Sequence, residues 1–380
     1  MRVLYLTEGT YHLDTPIAPI LEGMGVSIRV LPIQELRGAG SRNRAMNKVH
    51  RYLPSASMVR SIKRAIEDFS PDIIHIGQGR TVALPVMLAL RGMPEMPVVF
   101  SHGAIEGLNL LSPFDWMTYF NRRITRLLVP SKAHVNNWMG RPLLRRAIGS
   151  GRCDVLPHAI APSPELGETE RAALRARYGF AADEIVVGTV CWIRPIKNLA
   201  FVADIVRRLG PPFVFAVVGS GSETELERIR QAGGDRLRLL GKIPGARDMM
   251  AAFDIFVTPS RLPGESFGLA PAEAMAAGVP VLTMNFGGTA EIIEQGVSGF
   301  GLPYDPDAWS GALKLLAGDV ERRKAMGLAA RERIATSFSP EAIGLNCYHL
   351  YANLLRSGAP GFVDRLLVAP VASRQPKSRR

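Results

Sequence analysis

Cysteine is scarce in this chain of 380 residues, which contains only Cys153, Cys191 and Cys347. Their number is odd and their spacing is wide, so they form neither a disulfide framework nor a cysteine-based metal site. Unpaired cysteines fit a reducing compartment, and we expect a cytoplasmic protein. Aromatic residues make up 7% of the sequence and charged residues 21%, but hydrophobic residues reach 47%, which excludes wholesale disorder.

Long hydrophobic runs are absent as well. The run Ala83–Leu90 is among the longest and falls far short of the roughly 18 apolar residues of a membrane-spanning helix. The first residues, MRVLYLTEG, are typical of a strand and lack the basic, apolar and small-residue order of a secretion signal. We therefore expect neither a transmembrane helix nor a signal peptide.

Acidic residues are missing from two stretches of the N-terminal half. Residues 1–160 hold 20 Lys and Arg against 11 Asp and Glu, which is +9 of the chain's net +12. Arg37–Arg64 has eight basic residues and Arg122–Arg146 has seven, and neither stretch has an acid. Such patches attract phosphate-bearing partners, namely nucleic acid, an anionic membrane or a nucleotide. We do not expect nucleic acid, because no helix-turn-helix or RNA-binding signature accompanies them.

Two series of apolar, strand-like segments alternate with helical patterns along the chain. Near-continuous apolar strands separated by helices are typical of parallel sheets that are covered on both faces. The sequence therefore predicts an α/β protein with two Rossmann-like domains, joined near the proline-rich segment Ala159–Thr169. The predicted strands lie in RVLYL, SIRVLP, DIIHIG, VVFSHG, LLVPS and CDVLPH, and then in EIVVGTV, FVFAVVG, LRLLG, IFVTPS and PVLTMN. The predicted boundaries are 1–160, a linker at 161–182, 183–340, a last helix at 341–357, and a basic flexible tail at 358–380.

The segment Ile255–Val281 is the most informative about function. It reads as a strand, a glycine-containing loop, and a helix with Pro271 near its first turn and Gly278 past its end. Glu265 falls in the loop and Glu273 on the helix. Loop N–H groups and a helix N-terminus form a phosphate site, beyond which a carboxylate can accept bonds from ribose hydroxyls. The alternative interpretation is a solvated loop glutamate and a surface glutamate of the helix.

This segment resembles the E-x7-E motif of family-4 glycosyltransferases, retaining enzymes of the GT-B fold. The resemblance extends from about residue 70 to 357, is strongest from Gly188 onward, and includes several further segments in the family's order. It implies two Rossmann-like domains with parallel sheets facing a central cleft. The N-terminal domain would bind the acceptor, the C-terminal domain would bind a nucleotide-sugar, and the last helix would pack back toward the N-terminal domain. The segments that carry it are VVGSGSETELERI, LRLLGKIPGARDMMAAFDIFVTPSR, GESFGLAPAEAMAAGVPVL and NFGGTAEIIEQGVSGFGLP, followed by a helical run.

The resemblance implies a donor site made largely of C-terminal residues. Glu273 would bind the donor ribose, Glu265 the donor sugar, and Lys197 the phosphates. The family usually has an arginine shortly before this lysine, and here Cys191 and Trp192 stand in that region, so Arg194 is the candidate substitute. The implied donor-binding residues are Arg194, Lys197, Gly219, Gly221, Ile243, Glu265, Ser266, Phe267, Gly268, Leu269 and Glu273.

The resemblance also implies catalytic roles for His102, Lys197 and Glu265. His102 follows the strand PVVF and matches the family's histidine that faces the donor sugar across the cleft. It would orient the sugar and stabilise an oxocarbenium-like state. In the first βα loop the family has a Gly-Gly pair near the diphosphate, where this chain has Gly9 and Thr10. The N-terminal half is thus the divergent half, as expected if it determines acceptor specificity.

Asp305 and Asp307 in YDPD imitate a metal-binding D-x-D motif. Because they precede a predicted helix, we interpret them as its N-terminal cap, and we expect neither a catalytic metal nor a cofactor.

The sequence as a whole predicts a metal-independent, retaining hexosyltransferase of cell-surface polysaccharide or glycolipid biosynthesis. Its partners would be a nucleotide-sugar donor and a saccharide or lipid-linked acceptor. The two basic stretches would bind an anionic membrane surface and make the protein peripheral on the inner membrane face, since Leu53, Met58 and Val59 interleave the first one. The alternative for this stretch is a solvated basic loop.

Three other functions stay open on the sequence. A nucleotide-sugar 2-epimerase could use the same fold, and a non-catalytic carbohydrate- or membrane-binding relative is compatible with Trp192 and the missing Gly-Gly pair. A pyridine-nucleotide oxidoreductase is a more distant alternative, because the first βα turn lacks the required glycines.

Overall fold

The computed structural model describes most of the chain. The described residues are 1–7, 17–36, 54–77, 79–103, 108–149 and 151–357. Within them, none of the helices combines the length and apolar character that crossing a bilayer would require.

The N-terminal domain is built on a parallel sheet of six strands in the order β2-β1-β3-β4-β5-β6. The strands are β1 Arg2–Thr7, β2 Ser27–Pro32, β3 Ile73–Ile76, β4 Val98–Ser101, β5 Arg126–Val129 and β6 Cys153–Val155. The helices of this region are α1 Ala18–Gly23, α2 Ala56–Phe69, α3 Arg80–Ala89, α4 Pro113–Met117, α5 Lys132–Met139 and α6 Pro142–Ile148.

The C-terminal domain is built on a second six-stranded parallel sheet, in the order β12-β11-β10-β7-β8-β9. The strands are β7 Ile185–Val190, β8 Phe213–Val218, β9 Leu237–Gly241, β10 Ile255–Thr258, β11 Val281–Met284 and β12 Gly299–Leu302. The helices are α7 Glu168–Arg177, α8 Leu199–Leu209, α9 Glu223–Gly233, α10 Ala246–Met249, α11 Leu269–Ala276, α12 Gly288–Ile292, α13 Pro306–Gly318, α14 Val320–Ser337 and α15 Pro340–Ser357.

The apolar runs form the strands because both faces of each sheet are covered. All four residues of β3, β5, β10 and β11, and all six of β8, are buried. Such strands lack an alternating polar face, which is why near-continuous apolar segments predicted them. All eleven segments quoted from the sequence contain strands, and the α/β prediction is confirmed. The cap prediction is confirmed too, since the Asp305 side chain accepts from the Asp307 N–H at 3.1 Å at the start of α13.

The two domains meet through the last helix as well as through the joining segment. The predicted linker contains α7, and α15 returns to the N-terminal sheet, where Cys347 and Tyr351 pack with Val3 and Leu128. A second contact joins α12 to α5. Glu291 accepts from the backbone N–H groups of Lys132 and Ala133 at 2.9 and 2.5 Å, at the N-terminus of α5.

The structure corrects one argument made for the first basic stretch. Residues 37–53 lie outside the described residues, and the remainder belongs to α2. In α2, Met58 is only 4% exposed and lies in the N-terminal core, and Val59 packs partly buried against that core. Met58 is therefore not available to a membrane and Val59 is available only in part, because the apolar face of this helix covers its own sheet while Arg60, Lys63 and Arg64 face outward.

Candidate active site

In the C-terminal sheet, β7 lies beside β10, and the chain builds outward from this pair on both sides. Loops that leave the carboxyl ends of two such strands diverge, and open α/β sheets bind their ligands in the crevice between them. The two loops here are residues 191–198 after β7 and 259–268 after β10. The strand order therefore places the two loops that carry Lys197 and Glu265 at one crevice.

A cavity of about 750 Å³ opens at this crevice and is bordered by both halves of the chain. We call it the large cavity to distinguish it from the cavity of about 130 Å³ that adjoins it. Its volume lies in the range of small-molecule sites. Gly103 borders it from the N-terminal domain, and residues 158–161 border it from the segment that joins the domains. The predicted donor-binding residues that line it are Arg194, Lys197, Glu265, Ser266, Phe267, Gly268, Leu269 and Glu273.

Lys197 and Glu265 form an ion pair on the cavity wall. Lys197 ends a short 3₁₀ turn, and its Nζ lies 2.5 Å from Glu265 Oε1. Ser260, near the end of β10, donates from Oγ to the same oxygen at 2.5 Å. The side chains of the pair are only 17% and 22% exposed, so solvent screens their charges weakly. The cavity thus offers a cation suited to a diphosphate beside a carboxylate suited to hydroxyl groups.

The loop between Glu265 and α11 is held by close backbone contact with the start of α12. Gly288 donates its N–H to the carbonyl oxygen of Glu265 at 2.7 Å, and a Cβ at Gly288 would lie 2.1 Å from the carbonyl oxygen of Ser266. Gly268 has φ +95°, and a Cβ there would lie 2.7 Å from Thr289 Oγ1. Glycine is therefore required at both positions, because a side chain would displace the loop.

Helix α11 begins at the cavity wall. The first N–H groups of a helix have no partner within it and carry partial positive charge, which favours a phosphate. Pro271 lies in the first turn, and Gly278, with φ +77°, follows the end of the helix at Ala276. These helix signals were predicted from the sequence and are confirmed. Phe267 turns inward and is 2% exposed, so what it offers the cavity is mainly its backbone.

Glu273 lies in the second turn of α11 and is half-buried. Burial raises the pKa of this carboxyl, and the positive charge of Arg247 partly offsets the rise. Arg247 belongs to α10 and lines the same cavity. A half-buried carboxylate at the cavity wall can accept hydrogen bonds from a pair of ribose hydroxyls.

Arg194 stands at the cavity wall above an exposed ring. Its guanidinium carbon lies 5.0 Å from the centre of the Trp192 ring, within the range of a cation–π contact. Trp192 is 68% exposed and lines the cavity with Arg194. The neighbouring Cys191 is no candidate nucleophile, since burial raises the pKa of its thiol to about 11 and keeps it protonated. Trp192 thus lies under Arg194, the candidate substitute for the expected arginine.

Three predicted donor residues are not among the described residues that line the cavity. Gly219 and Gly221 instead let the loop after β8 approach the loop after β7. A Cβ at Gly219 would lie 1.8 Å from the carbonyl oxygen of Cys191, and one at Gly221 would lie 2.6 Å from that of Ile193. Ile243 packs partly buried against the C-terminal core. These residues support the structure around the cavity without lining the cavity themselves.

His102 follows β4 and lies next to Gly103, but it is only 8% exposed. Its Nδ1 lies 3.0 Å from the Tyr119 hydroxyl, and its ring packs against those of His134 and Trp138. Burial, with the charge of His102, lowers the pKa of His134 to about 3, so this second imidazole stays neutral. The structure therefore sets His102 in an aromatic cluster beside the cleft, and not on the wall of the large cavity.

A smaller cavity, of about 130 Å³, adjoins this region. His102 and His158 border it together with apolar side chains of the N-terminal sheet and Tyr351 of α15. His158 borders the large cavity as well.

The remaining predictions concern the first βα loop and the second basic stretch. Gly9 and Thr10 lie outside the described residues. In the second stretch, Arg123 donates to the carbonyl oxygen of Met93 at 3.0 Å, and Arg126 pairs with Asp154 at 3.1 Å. These two arginines hold the fold together. The exposed cations of this stretch are Arg122, Lys132, Arg141, Arg145 and Arg146.

Sequence reasoning missed Ser260, which bonds Glu265, and Arg247, which lines the large cavity. Ser260 could have been found, because it is a polar residue near the carboxyl end of a predicted strand, beside the loop of Glu265. Arg247 gives no such signal, since it lies 26 residues before Glu273 and only the packing of α10 near α11 brings them together.

Known proteins resemble this chain in sequence and in fold. Residues 184–319 match the family described as Glycosyl transferases group 1. The chain is 33% identical over 195 residues to the D-inositol 3-phosphate glycosyltransferase of Nocardia farcinica, a match that covers 47% of this chain and 43% of that protein. The chain thus spans less than half the length of that relative. A GDP-mannose-dependent monoacylated alpha-(1-6)-phosphatidylinositol monomannoside mannosyltransferase of Corynebacterium glutamicum is 26% identical over 77% of this chain and 79% of its own.

Solved structures extend the likeness to 93% of the chain at the level of fold. The Anabaena protein Alr3699/HepE, crystallised in complex with UDP, superposes with a TM-score of 0.70 at 18% identity, covering 93% of this chain and 100% of that one. The architecture is the GT-B fold of glycosyltransferases, as the resemblance implied.

Proposed function

From a GT-B fold whose C-terminal domain matches the group 1 glycosyl transferases, we propose that this protein is a retaining, metal-independent glycosyltransferase of family 4. It would move a hexose from a nucleoside diphosphate sugar to a saccharide or lipid-linked acceptor in glycolipid or polysaccharide biosynthesis. The C-terminal domain would bind the donor and the N-terminal domain the acceptor.

One observation carries this proposal. The Lys197–Glu265 pair, the start of α11 and Glu273 border a single cavity at the crevice between β7 and β10. A nucleotide-sugar needs these groups in one place, because it presents a ribose, a diphosphate and a sugar in sequence. The relatives add support, since each is named as a transferase of a sugar.

The donor would lie with its ribose at Glu273 and its diphosphate at Lys197, Arg194 and the start of α11. As the bond between the sugar's anomeric carbon and the diphosphate oxygen breaks, negative charge grows on the departing diphosphate. Lys197 and the helix N–H groups would stabilise that charge, in the role that an oxyanion hole or a metal takes in other enzymes. This arrangement needs no metal ion or cofactor.

The sugar would pass through an oxocarbenium-like state beside Glu265, next to the smaller cavity that His102 borders. The acceptor hydroxyl would attack the anomeric carbon from the face that the diphosphate leaves, so that the configuration is retained. Its proton would pass to the departing phosphate oxygen, which balances the exchange of one bond to the anomeric carbon for another. Glu265 would hold the sugar hydroxyls, and His102 would orient the ring.

The experiment is product analysis with and without acceptor. We expect sugar transfer from one of UDP-glucose, GDP-mannose or ADP-glucose to a saccharide or lipid-linked acceptor, undiminished by EDTA, with the α-configuration kept in the NMR spectrum. Epimerised nucleotide-sugar formed without acceptor would favour the isomerase. Donor binding without turnover would favour the non-catalytic relative.

We also propose that the protein binds an anionic membrane surface through the exposed cations of its second basic stretch. On α6 and its flanks, Arg141, Arg145 and Arg146 are exposed beside Leu143, which is itself 70% exposed. Such a combination suits an interface of anionic headgroups. Replacing the three arginines by serine should abolish flotation with anionic vesicles at low salt, whereas the same change of Arg207, Arg208 and Arg228 should not.

A further inference from the structure

The start of helix α5 is bound from both domains. The first N–H groups of a helix have no partner within it. In α5 the N–H of His134 donates to Oγ of Ser131, the residue that precedes the helix, at 3.2 Å. The N–H groups of Lys132 and Ala133 donate instead to the carboxylate of Glu291, 2.9 and 2.5 Å away on α12. The C-terminal domain therefore supplies part of the cap of an N-terminal helix.

The Glu291 carboxylate suits this position on electrostatic grounds. A helix N-terminus carries partial positive charge, and hydrogen bonds from N–H groups to a carboxylate are stronger than those between neutral groups. Arg333 of α14 donates to the carbonyl oxygens of Glu291 and Ile292, at 3.1 and 2.5 Å. The carboxylate therefore extends from a fixed backbone onto a helix end that attracts it.

On its C-terminal side this contact continues into the loop that carries Glu265. Gly288, three residues before Glu291, donates its N–H to the carbonyl oxygen of Glu265 at 2.7 Å. No side chain fits between α12 and the loop there, since a Cβ at Gly288 would lie 2.1 Å from the carbonyl oxygen of Ser266. Helix α12 is five residues long, so Gly288 and Glu291 lie about one turn apart. A shift of α12 would therefore move the loop of Glu265 as well.

On its N-terminal side the contact continues into the rings around His102. His134 and Trp138 both belong to α5 and are buried. Their ring centres lie 5.5 and 5.0 Å from that of His102. Because buried rings are closely packed, a movement of α5 changes where the His102 imidazole lies. Glu291 thus belongs to a continuous set of contacts that runs from the loop of Glu265 to His102.

We propose that Glu291 is a positioning residue that fixes the position of His102 relative to Glu265 across the cleft. Glu291 does not line the large cavity in the described part of the chain, and it acts by tying α5 to α12. The inference rests on the proposed function, because it takes Glu265 and His102 as the residues that act on the donor sugar. Loss of the charge of Glu291 would leave each side of the site intact and disturb their relative position.

The test compares Glu291→Gln with two matched variants. Glu291→Gln keeps the size of the side chain but removes its charge and replaces one acceptor oxygen by an amide NH₂ group, which cannot accept. Glu294→Gln makes the same change of charge three residues further along, on an exposed side chain. Ser131→Ala removes the cap that α5 receives from its own domain and leaves the contact with α12 in place.

The first measurement is amide hydrogen exchange of residues 131–139, followed by mass spectrometry. Glu291→Gln should speed the exchange of Lys132 and Ala133, because their N–H groups lose a charged acceptor. Glu294→Gln should leave their exchange as it is in the wild type. This measurement needs neither donor nor acceptor, so it tests the contact between the domains apart from the proposed function.

The second measurement separates donor binding from turnover. The probe is the first of UDP-glucose, GDP-mannose and ADP-glucose that binds the wild type, with calorimetry for affinity and release of the sugar to water or to the acceptor for kcat. We expect Glu291→Gln to lower kcat about tenfold, as the loss of one charged hydrogen bond does, and to leave the affinity unchanged. Ser131→Ala should lower the free energy of unfolding, as the loss of a helix cap does, but keep kcat near that of the wild type.

Three results would overturn the inference. The first is unchanged exchange of Lys132 and Ala133 in Glu291→Gln, and the second is a kcat of this variant equal to that of the wild type. The third is an equal loss of kcat in Ser131→Ala, which would make Glu291 a helix cap without a role in positioning His102. If none of the three nucleotide-sugars binds the wild type, the proposed function itself fails, and that outcome is distinct from all three.

Discussion

On the C-terminal side of the cleft the candidate side chains are charged and reach the large cavity, with Lys197 17% and Glu265 22% exposed. On the N-terminal side His102 is 8% exposed and is packed among the rings of Tyr119, His134 and Trp138. The first side can be changed without disturbing a core. On the second side, the candidate catalytic residue is also part of the packing, so function and stability are coupled there.

The largest loss of activity should come from Lys197→Met. This change tests whether a side chain on the C-terminal side contributes much more to activity than to stability. We expect kcat/KM for transfer to fall by roughly 100- to 1000-fold, as when one group that stabilises a leaving charge is removed. The free energy of unfolding should fall by about 1–3 kcal/mol, because the largely buried Glu265 carboxylate loses its cation but keeps the hydrogen bond from Ser260. Both are measured by steady-state kinetics and urea titration.

The exposed lysine of α13, Lys314, gives the control for that experiment. Lys314→Met should change neither activity nor stability. Equal losses in the two variants would mean that Lys197 does not act on the donor.

A second test concerns backbone geometry on the C-terminal side. Gly268→Ala should destabilise the C-terminal domain by about 1–3 kcal/mol, because φ is +95° and the new Cβ would meet Thr289 and Pro271. Gly311→Ala, inside α13 where a Cβ would meet nothing within 4 Å, should instead stabilise it by about 0.5–1 kcal/mol. Urea unfolding measures both, and a Gly268→Ala protein as stable as the wild type would contradict the required turn.

The smallest effect should come from Tyr119→Phe on the N-terminal side. Removing the hydroxyl 3.0 Å from His102 Nδ1 should lower kcat several-fold by loosening the orientation of the imidazole, and should lower stability by about 1 kcal/mol. Calorimetric affinity for the nucleotide-sugar should not change. A loss of affinity as large as the loss of kcat would mean that the Tyr119 hydroxyl acts on donor binding. The two sides of the cleft would then not differ in the way described.

The same contrast explains what the sequence could predict. The strand, loop and helix from Ile255 to Gly278 are contiguous, so their turn glycines, their proline and both glutamates could be interpreted together. Eleven of the twelve strands in the described residues were predictable because burial on both faces leaves long apolar runs, whereas β12, in which two of four residues are glycine, was not predicted. The pairing of Lys197 with Glu265 required the order of β7 and β10 in the sheet, which no local pattern contains.

Sequence patterns did not predict side-chain clusters whose members come from several segments of the chain. The ring cluster around His102 draws on three other positions between residues 119 and 138, and each of them alone resembles an ordinary core or surface residue. Met58 is the opposite case. Its place among cations suggested a membrane contact, but helical periodicity puts it on the buried face of α2, with Ile62, Ile66 and Phe69.

Helix α15 has a consequence for how the chain acquires its structure. Its residues Cys347 and Tyr351 cover the face of the N-terminal sheet that includes Val3, Val99 and Leu128. During synthesis the N-terminal domain leaves the ribosome first, yet the helix that covers this face is the last described element to emerge. That apolar face therefore stays uncovered until the whole C-terminal domain has been synthesised. The two domains complete their folding together, and a single cut in the segment that joins them cannot separate them.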